Sequence, residues 1–165
     1  TGLINIPSLH TVLSKDKVRN KQVLAVLDNA LKNERKVLIL GDRVEQLEEM
    51  VKVCNRNYKG NPAMLYVGKT PQAERERAGK DSVRAIFGTT ALAKEGLDIP
   101  SLDTLMLISP NSSDGTIQQA TGRILRACDN KKEPIIIDFY DKNIGVCKSM
   151  MERRKRLYAR LNYRF

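Results

Sequence analysis

Apolar residues along this chain fall into two alternating patterns: short runs, and longer segments where they recur every three or four positions. The short runs are 36–40 (KVLIL), 63–67 (AMLYV), 83–87 (VRAIF, interrupted by Arg84), 105–108 (LMLI) and 134–140 (PIIIDFY, interrupted by Asp138). Each is short and rich in aliphatic residues, and Gly41 ends the first while Asn61-Pro62 opens the second, which predicts buried strands. Between them, residues 18–31 place apolar side chains at Val23, Leu24, Leu27 and Leu31, with Asp16 positioned as an N-cap. Residues 43–55 repeat the helical period at Val44, Leu47, Val51 and Cys54. Positions 70–78 predict a short polar helix, 115–126 a helix capped by Ser113 or Asp114, and 144–161 a long final helix. The buried stripe of that last helix is expected at Val146, Met150, Leu157 and Leu161, leaving its basic residues outside. The first fifteen or so residues are apolar but aperiodic and are assigned to a junction.

Short buried strands alternating with amphipathic helices define an α/β fold with a mainly parallel central sheet and helices on both faces. Residues 1–165 form a single domain, and 1–16 are expected to join it to a neighbouring domain. No internal repeat or low-complexity linker interrupts the chain.

Composition narrows the class of partner. Apolar residues make up 41%, too many for a disordered chain, and no apolar run approaches the ~18 residues needed to cross a bilayer. No charged-then-apolar leader opens the chain, and Thr1 in place of Met reads as a fragment or a processed chain. Lys and Arg number 29 against 19 Asp and Glu, a net charge of +10 that favours a polyanion: nucleic acid first, acidic lipid second. The plain alternative is a basic, solvated surface. Cys54, Cys128 and Cys147 lack metal-ligand spacing and read as reduced thiols in an intracellular or virion-assembly compartment. His10, the sole histidine, offers no basis for a catalytic or metal role.

Two blocks carry chemistry. Residues 119–126 (QATGRILR) put Gln119, Arg123 and Arg126 on one face of the expected helix, because positions three and four apart are neighbours. Arg presents a planar fork of donors that matches phosphate oxygens, and Gly122 leaves room for a nucleotide or a second backbone. Read blandly, this is an exposed basic face with an incidental glycine. Residues 90–98 (TALAKEGLD) follow a strand and contain Thr90, Gly96 and Asp98, which alone would pass as loop punctuation.

The pattern Gln-x-x-Gly-Arg-x-x-Arg resembles motif VI of superfamily-2 helicases, nucleic-acid-dependent ATPases built from two RecA-like domains. The 90–98 block resembles motif V, and 36–43 (KVLILGDR) resembles motif IV. The resemblance covers about residues 17–160 and is nearest the branch of phage and large-DNA-virus helicases and repair translocases, on the strength of Gln at 119 and of PIIIDFYD followed by a basic helix. It implies a C-terminal RecA-like domain whose Arg123 and Arg126 act as arginine fingers toward the γ-phosphate of ATP, with Gln119 coupling that site to the interdomain cleft. Gly96, Asp98 and Gly122 would border the nucleotide. Arg43, Lys69, Thr89 and Thr90 would contact the nucleic-acid backbone, DNA in preference to RNA. ATP and Mg²⁺ would be held mainly by an N-terminal RecA-like domain, so this chain alone is expected to hydrolyse nothing. A finger of this kind is worth ~10³–10⁵ in rate.

Gly68-Lys69-Thr70 is similar to the end of a phosphate-binding P-loop, but that motif needs Gly at 63, where Ala stands, and Pro71 follows. The final helix, with Arg153, Arg154, Lys155, Arg156, Arg160 and then Arg164, is either a solvated face or a surface that tracks phosphates. The alternative to a motor domain is a basic nucleic-acid-binding module that keeps the fold without the activity.

Overall fold

The computed structural model describes residues 3–165. Its sheet follows from the short apolar runs: β1 (Val37–Gly41), β2 (Ala63–Tyr66), β3 (Ala85–Thr89), β4 (Thr104–Leu107) and β5 (Ile135–Asp138). The order is β2-β3-β1-β4-β5 and every neighbouring pair is parallel. β1, at the centre, pairs Leu38 with Ile86 on one side and with Leu105 on the other. All of its residues are buried, as a strand covered on both faces requires.

Alternation along the strands sends side chains to two separate cores. On one face, Leu38, Leu40, Ile86, Leu105 and Leu107 pack against α5 (Asp114–Ile124) through Ile117, Ala120 and Ile124, and against α6 (Gly145–Arg160) through Leu157 and Tyr158. On the other, Val37, Ile39, Phe87, Met106 and Ile108 meet Val23 and Leu27 of α2 (Lys17–Lys32) and Leu47, Met50 and Cys54 of α3 (Val44–Asn57). The short helix α4 (Gln72–Arg77) links β2 to β3. The expected caps are in place: the Asp16 carboxylate accepts from the N–H groups of Val18 and Arg19, and Ser113 Oγ accepts from Thr116.

Three expectations need correction. The N-terminal segment is a helix, α1 (Ile6–Lys15): Asn5 Oδ1 accepts from Ser8 N at 3.0 Å and Pro7 lies in the first turn, where its missing N–H costs nothing. α5 stops at Ile124 with Leu125 as its C-cap, so Arg126 lies beyond the helix rather than one turn further along it. The buried stripe of α6 is Cys147, Met151, Arg154, Leu157 and Tyr158. Arg154 is thus an interior residue, with its Nε 2.6 Å from Asp138 Oδ2.

Candidate nucleotide and nucleic-acid interface

In open α/β sheets ligands gather at the carboxyl ends of the strands. Here the segments leaving β1, β3 and β4 converge at that edge. Asp42, just past β1, receives the Thr90 hydroxyl on Oδ1, and its backbone N–H donates to Ser109 Oγ at 3.0 Å. α1 docks on the same spot. His10 Nδ1 lies 2.9 Å from Asp42 Oδ2 and Nε2 lies 2.8 Å from Pro110 O. Both ring nitrogens thus face oxygens of the segments after β1 and β4. His10 therefore serves as a structural tie, which its lone occurrence in the sequence could not reveal.

Arg43 is part of this junction. Its guanidinium donates to Thr11 Oγ1 at 3.1 Å, to the Asp42 carbonyl at 3.0 Å and to the Pro7 carbonyl at 2.5 Å. Thr89 ends β3 and Thr90 opens a 3₁₀ turn, Thr90–Lys94, both half-buried. Lys69 stands apart, exposed after β2. The carbonyls of its loop (Val67, Gly68 and Thr70) all accept from Arg75, which is not how a phosphate cradle presents its N–H groups.

The second cluster joins the segment after β3 to the end of α5. Arg123 Nε and Nη2 donate to Ala93 O at 3.2 and 2.6 Å, and Nη1 donates to Leu97 O at 3.1 Å. Between these carbonyls the chain reverses at Gly96, whose φ of +64° suits a residue without a Cβ. Arg126 Nη1 meets Asp98 Oδ1 at 2.6 Å. Both guanidinium groups are thus engaged with the 93–98 segment. Three of the five N–H groups of Arg123 are used, and two remain for another acceptor. Gln119 and Gly122 lie exposed on α5, and a Cβ at position 122 would meet nothing beyond its own helix within 4 Å.

Lys131 belongs to this cluster although nothing in its sequence context marks it. Its ammonium donates to the carbonyls of Arg126 at 2.6 Å and Pro100 at 3.0 Å, fixing the segment after α5. Burial pushes its pKa below that of an ordinary lysine. Among the described residues no group of three His, Cys, Asp or Glu side chains is arranged to hold a metal ion.

Residues 18–128, which contain Arg43, Thr90, Asp98, Arg123 and Arg126, match the family described as the helicase conserved C-terminal domain. This chain belongs to that family. The helicase C-terminal domain is 27% identical, over 99% of its length, to an Acanthamoeba polyphaga mimivirus protein whose name marks it as a candidate ATP-dependent RNA helicase. Its fold matches the crystal structure of T4 UvsW with a TM-score of 0.75 and 15% identity over 97% of the chain. It also matches domain 2 of the DEAD-box helicase Mss116p bound to an RNA duplex, with a TM-score of 0.61 and 16% identity over 87% of the chain. The chain spans 31% of the mimiviral protein and 36% of the UvsW chain. The all-parallel five-stranded sheet is the RecA-like architecture those domains share.

Proposed function

We infer that this chain is the C-terminal motor domain of an ATP-dependent helicase or translocase that works on nucleic acid, DNA in preference to RNA. One observation carries this reading. Residues 93–98 and the end of α5 form a single polar unit, in which Arg123 holds the turn and Arg126 sits in an exposed pair with Asp98. Arg126 is 44% exposed and Asp98 60%, so their pairing is worth no more than about 1 kcal/mol and a triphosphate competes with it readily.

In this reading ATP supplies the phosphoryl group and Mg²⁺ neutralises its charge, both held mainly by an N-terminal RecA-like domain. The part played by this chain is electrostatic. Arg126 swings from Asp98 to the terminal phosphate, Arg123 adds its remaining N–H groups, and Asp98 and Gly96 line the nucleotide's edge. Gln119, exposed on the same helix, faces the partner domain. Thr89, Thr90, Arg43 and Lys69 supply backbone contacts, which position the polymer without reading its sequence. The three free thiols suit a reducing, intracellular setting.

An ATPase assay of the full-length protein, with and without single-stranded DNA, duplex DNA and RNA, tests the proposal. Turnover stimulated by DNA more than by RNA supports it. Nucleic-acid binding with no ATP turnover at all would instead leave a binding module of helicase fold.

A further inference from the structure

We propose that the groove between α6 and the segment after β4 is a second phosphate-backbone site, which extends the nucleic-acid path beyond Thr90. The proposal rests on the reading of the chain as a nucleic-acid motor domain. The groove is open, about 570 Å³, and is lined by Ser112, Asp114, Arg153, Arg156, Ala159 and Arg160. Ala159 supplies its one apolar side chain, which leaves an apolar ligand nothing to bury.

Three arginines at i, i+3 and i+7 share this face of α6. Arg160 reaches Asp114 at 2.6 Å, an exposed pair across the groove. Among the described residues Arg153 and Arg156 have no acidic partner, although Lys155 beside them pairs with Glu152 at 3.5 Å. Positions 153 to 160 rise about 10 Å along the helix, so the three side chains form a row and not a point.

The groove is held rigid from beneath. Arg154, buried under the same helix, binds both oxygens of Asp138 and donates to the Asn111 carbonyl at 2.6 Å, so α6 and the groove's opposite wall are fixed to each other. That wall also leads back to the first site. Ser109 accepts from the Asp42 backbone and Pro110 from His10, while Ser112 lines the groove three residues later. Three residues span at most about 11 Å, so the groove wall at Ser112 lies close along the chain to the Ser109 end of the first site. A continuous polymer fits this arrangement. An acidic membrane fits poorly, because among the described residues no aromatic side chain lines the groove.

The test is fluorescence anisotropy of the full chain with labelled single-stranded and duplex oligonucleotides at 50 to 200 mM salt (roughly the range where counterion release is read). R153Q/R156Q should lower affinity about tenfold or more, and should flatten the log–log salt slope by about 1.4 on single strands and 1.8 on duplex. K52Q/K59Q, which removes the same charge from exposed positions elsewhere, should leave the slope unchanged. R153K/R156K should restore most of the slope. Equal losses in the two Gln variants would overturn the site by reducing it to net charge. Binding of phosphatidylserine vesicles that fails in R153Q/R156Q, with oligonucleotide binding intact, would also overturn it. A wild-type chain that binds neither oligonucleotide would remove the motor reading as well, so the two failures are distinguishable.

Discussion

Arg126 Nη1 lies 2.6 Å from Asp98 Oδ1, and this pair joins the segment after α5 to the segment after β3. Arg123 makes a parallel link to the same segment through backbone carbonyls. The two arginines look alike in sequence, but they differ in what they hold.

That difference predicts separable phenotypes. Arg126→Ala breaks an exposed pair and should change unfolding free energy by less than about 1 kcal/mol, while ATP turnover of the full-length protein falls by about 10³ or more. Arg123→Ala strands the Ala93 and Leu97 carbonyls and should cost about 1–3 kcal/mol of stability as well as turnover. Urea denaturation alongside the ATPase assay separates the two. A wild-type denaturation midpoint for Arg123→Ala would contradict the anchoring role.

Gly122 supplies a sharper test. A methyl group added there would touch nothing beyond its own helix within 4 Å, so this fold has no internal need for glycine at that position. Gly122→Ala should therefore stabilise α5 by about 1 kcal/mol. If a nucleotide or partner backbone approaches that surface, the same variant should lose turnover. Stabilisation with turnover fully retained would show that nothing approaches Gly122.

Arg154 should behave as a structural residue. Its side chain is 2% exposed and that of Asp138 is 10% exposed, and Tyr158 donates to Asp138 at 2.7 Å. Arg154→Ala would leave a buried carboxylate uncompensated, with an expected loss of about 3–5 kcal/mol. Thermal unfolding measures it, and a loss below about 1 kcal/mol would mean that the pair is open to water.

Alkaline pH should weaken the fold. Burial pushes the Cys54 thiol up to about 11, and burial with the Asp28 hydrogen bond pushes the Tyr58 phenol up to about 12. Burial and the adjacent Asp138 raise Tyr158 in the same direction. Below the ordinary thiol value of 9.0 the folded and unfolded chains hold the same proton on Cys54. As pH rises from there toward about 11, only the unfolded chain releases it, so stability falls. Melting temperature should decline steadily across that window, and Cys54→Ala should lessen the early part of the decline. At neutral pH iodoacetamide should label exposed Cys128 and spare buried Cys54 and Cys147 until denaturation.

The strands and most helices are legible in the sequence because each satisfies a local rule. KVLIL is buried on both faces and needs no polar alternation, while Asp16 and Ser113 cap the helices that follow them. The helix before residue 16 escapes that reading, although Asn5 and Pro7 carry a helix-start signal, because exposed Ile4 and Val12 blur the helical spacing of Ile6, Leu9 and Leu13. Arg154 lies inside against expectation because a charged residue counts as exposed until a partner such as Asp138 is seen beneath it.

Residue order alone was sufficient for the parallel α/β architecture, since alternating apolar runs and amphipathic segments leave few other ways to bury both faces of a sheet. The resemblance of its motifs also nominated Arg123, Arg126, Thr90 and Asp98 as candidate site positions. Which acceptors those side chains take, and which basic residues lie inside, depended on contacts between segments distant along the chain. Thr90 with Asp42, Arg126 with Asp98 and Arg154 with Asp138 meet only because the sheet brings their loops together, and local periodicity holds no record of such pairings.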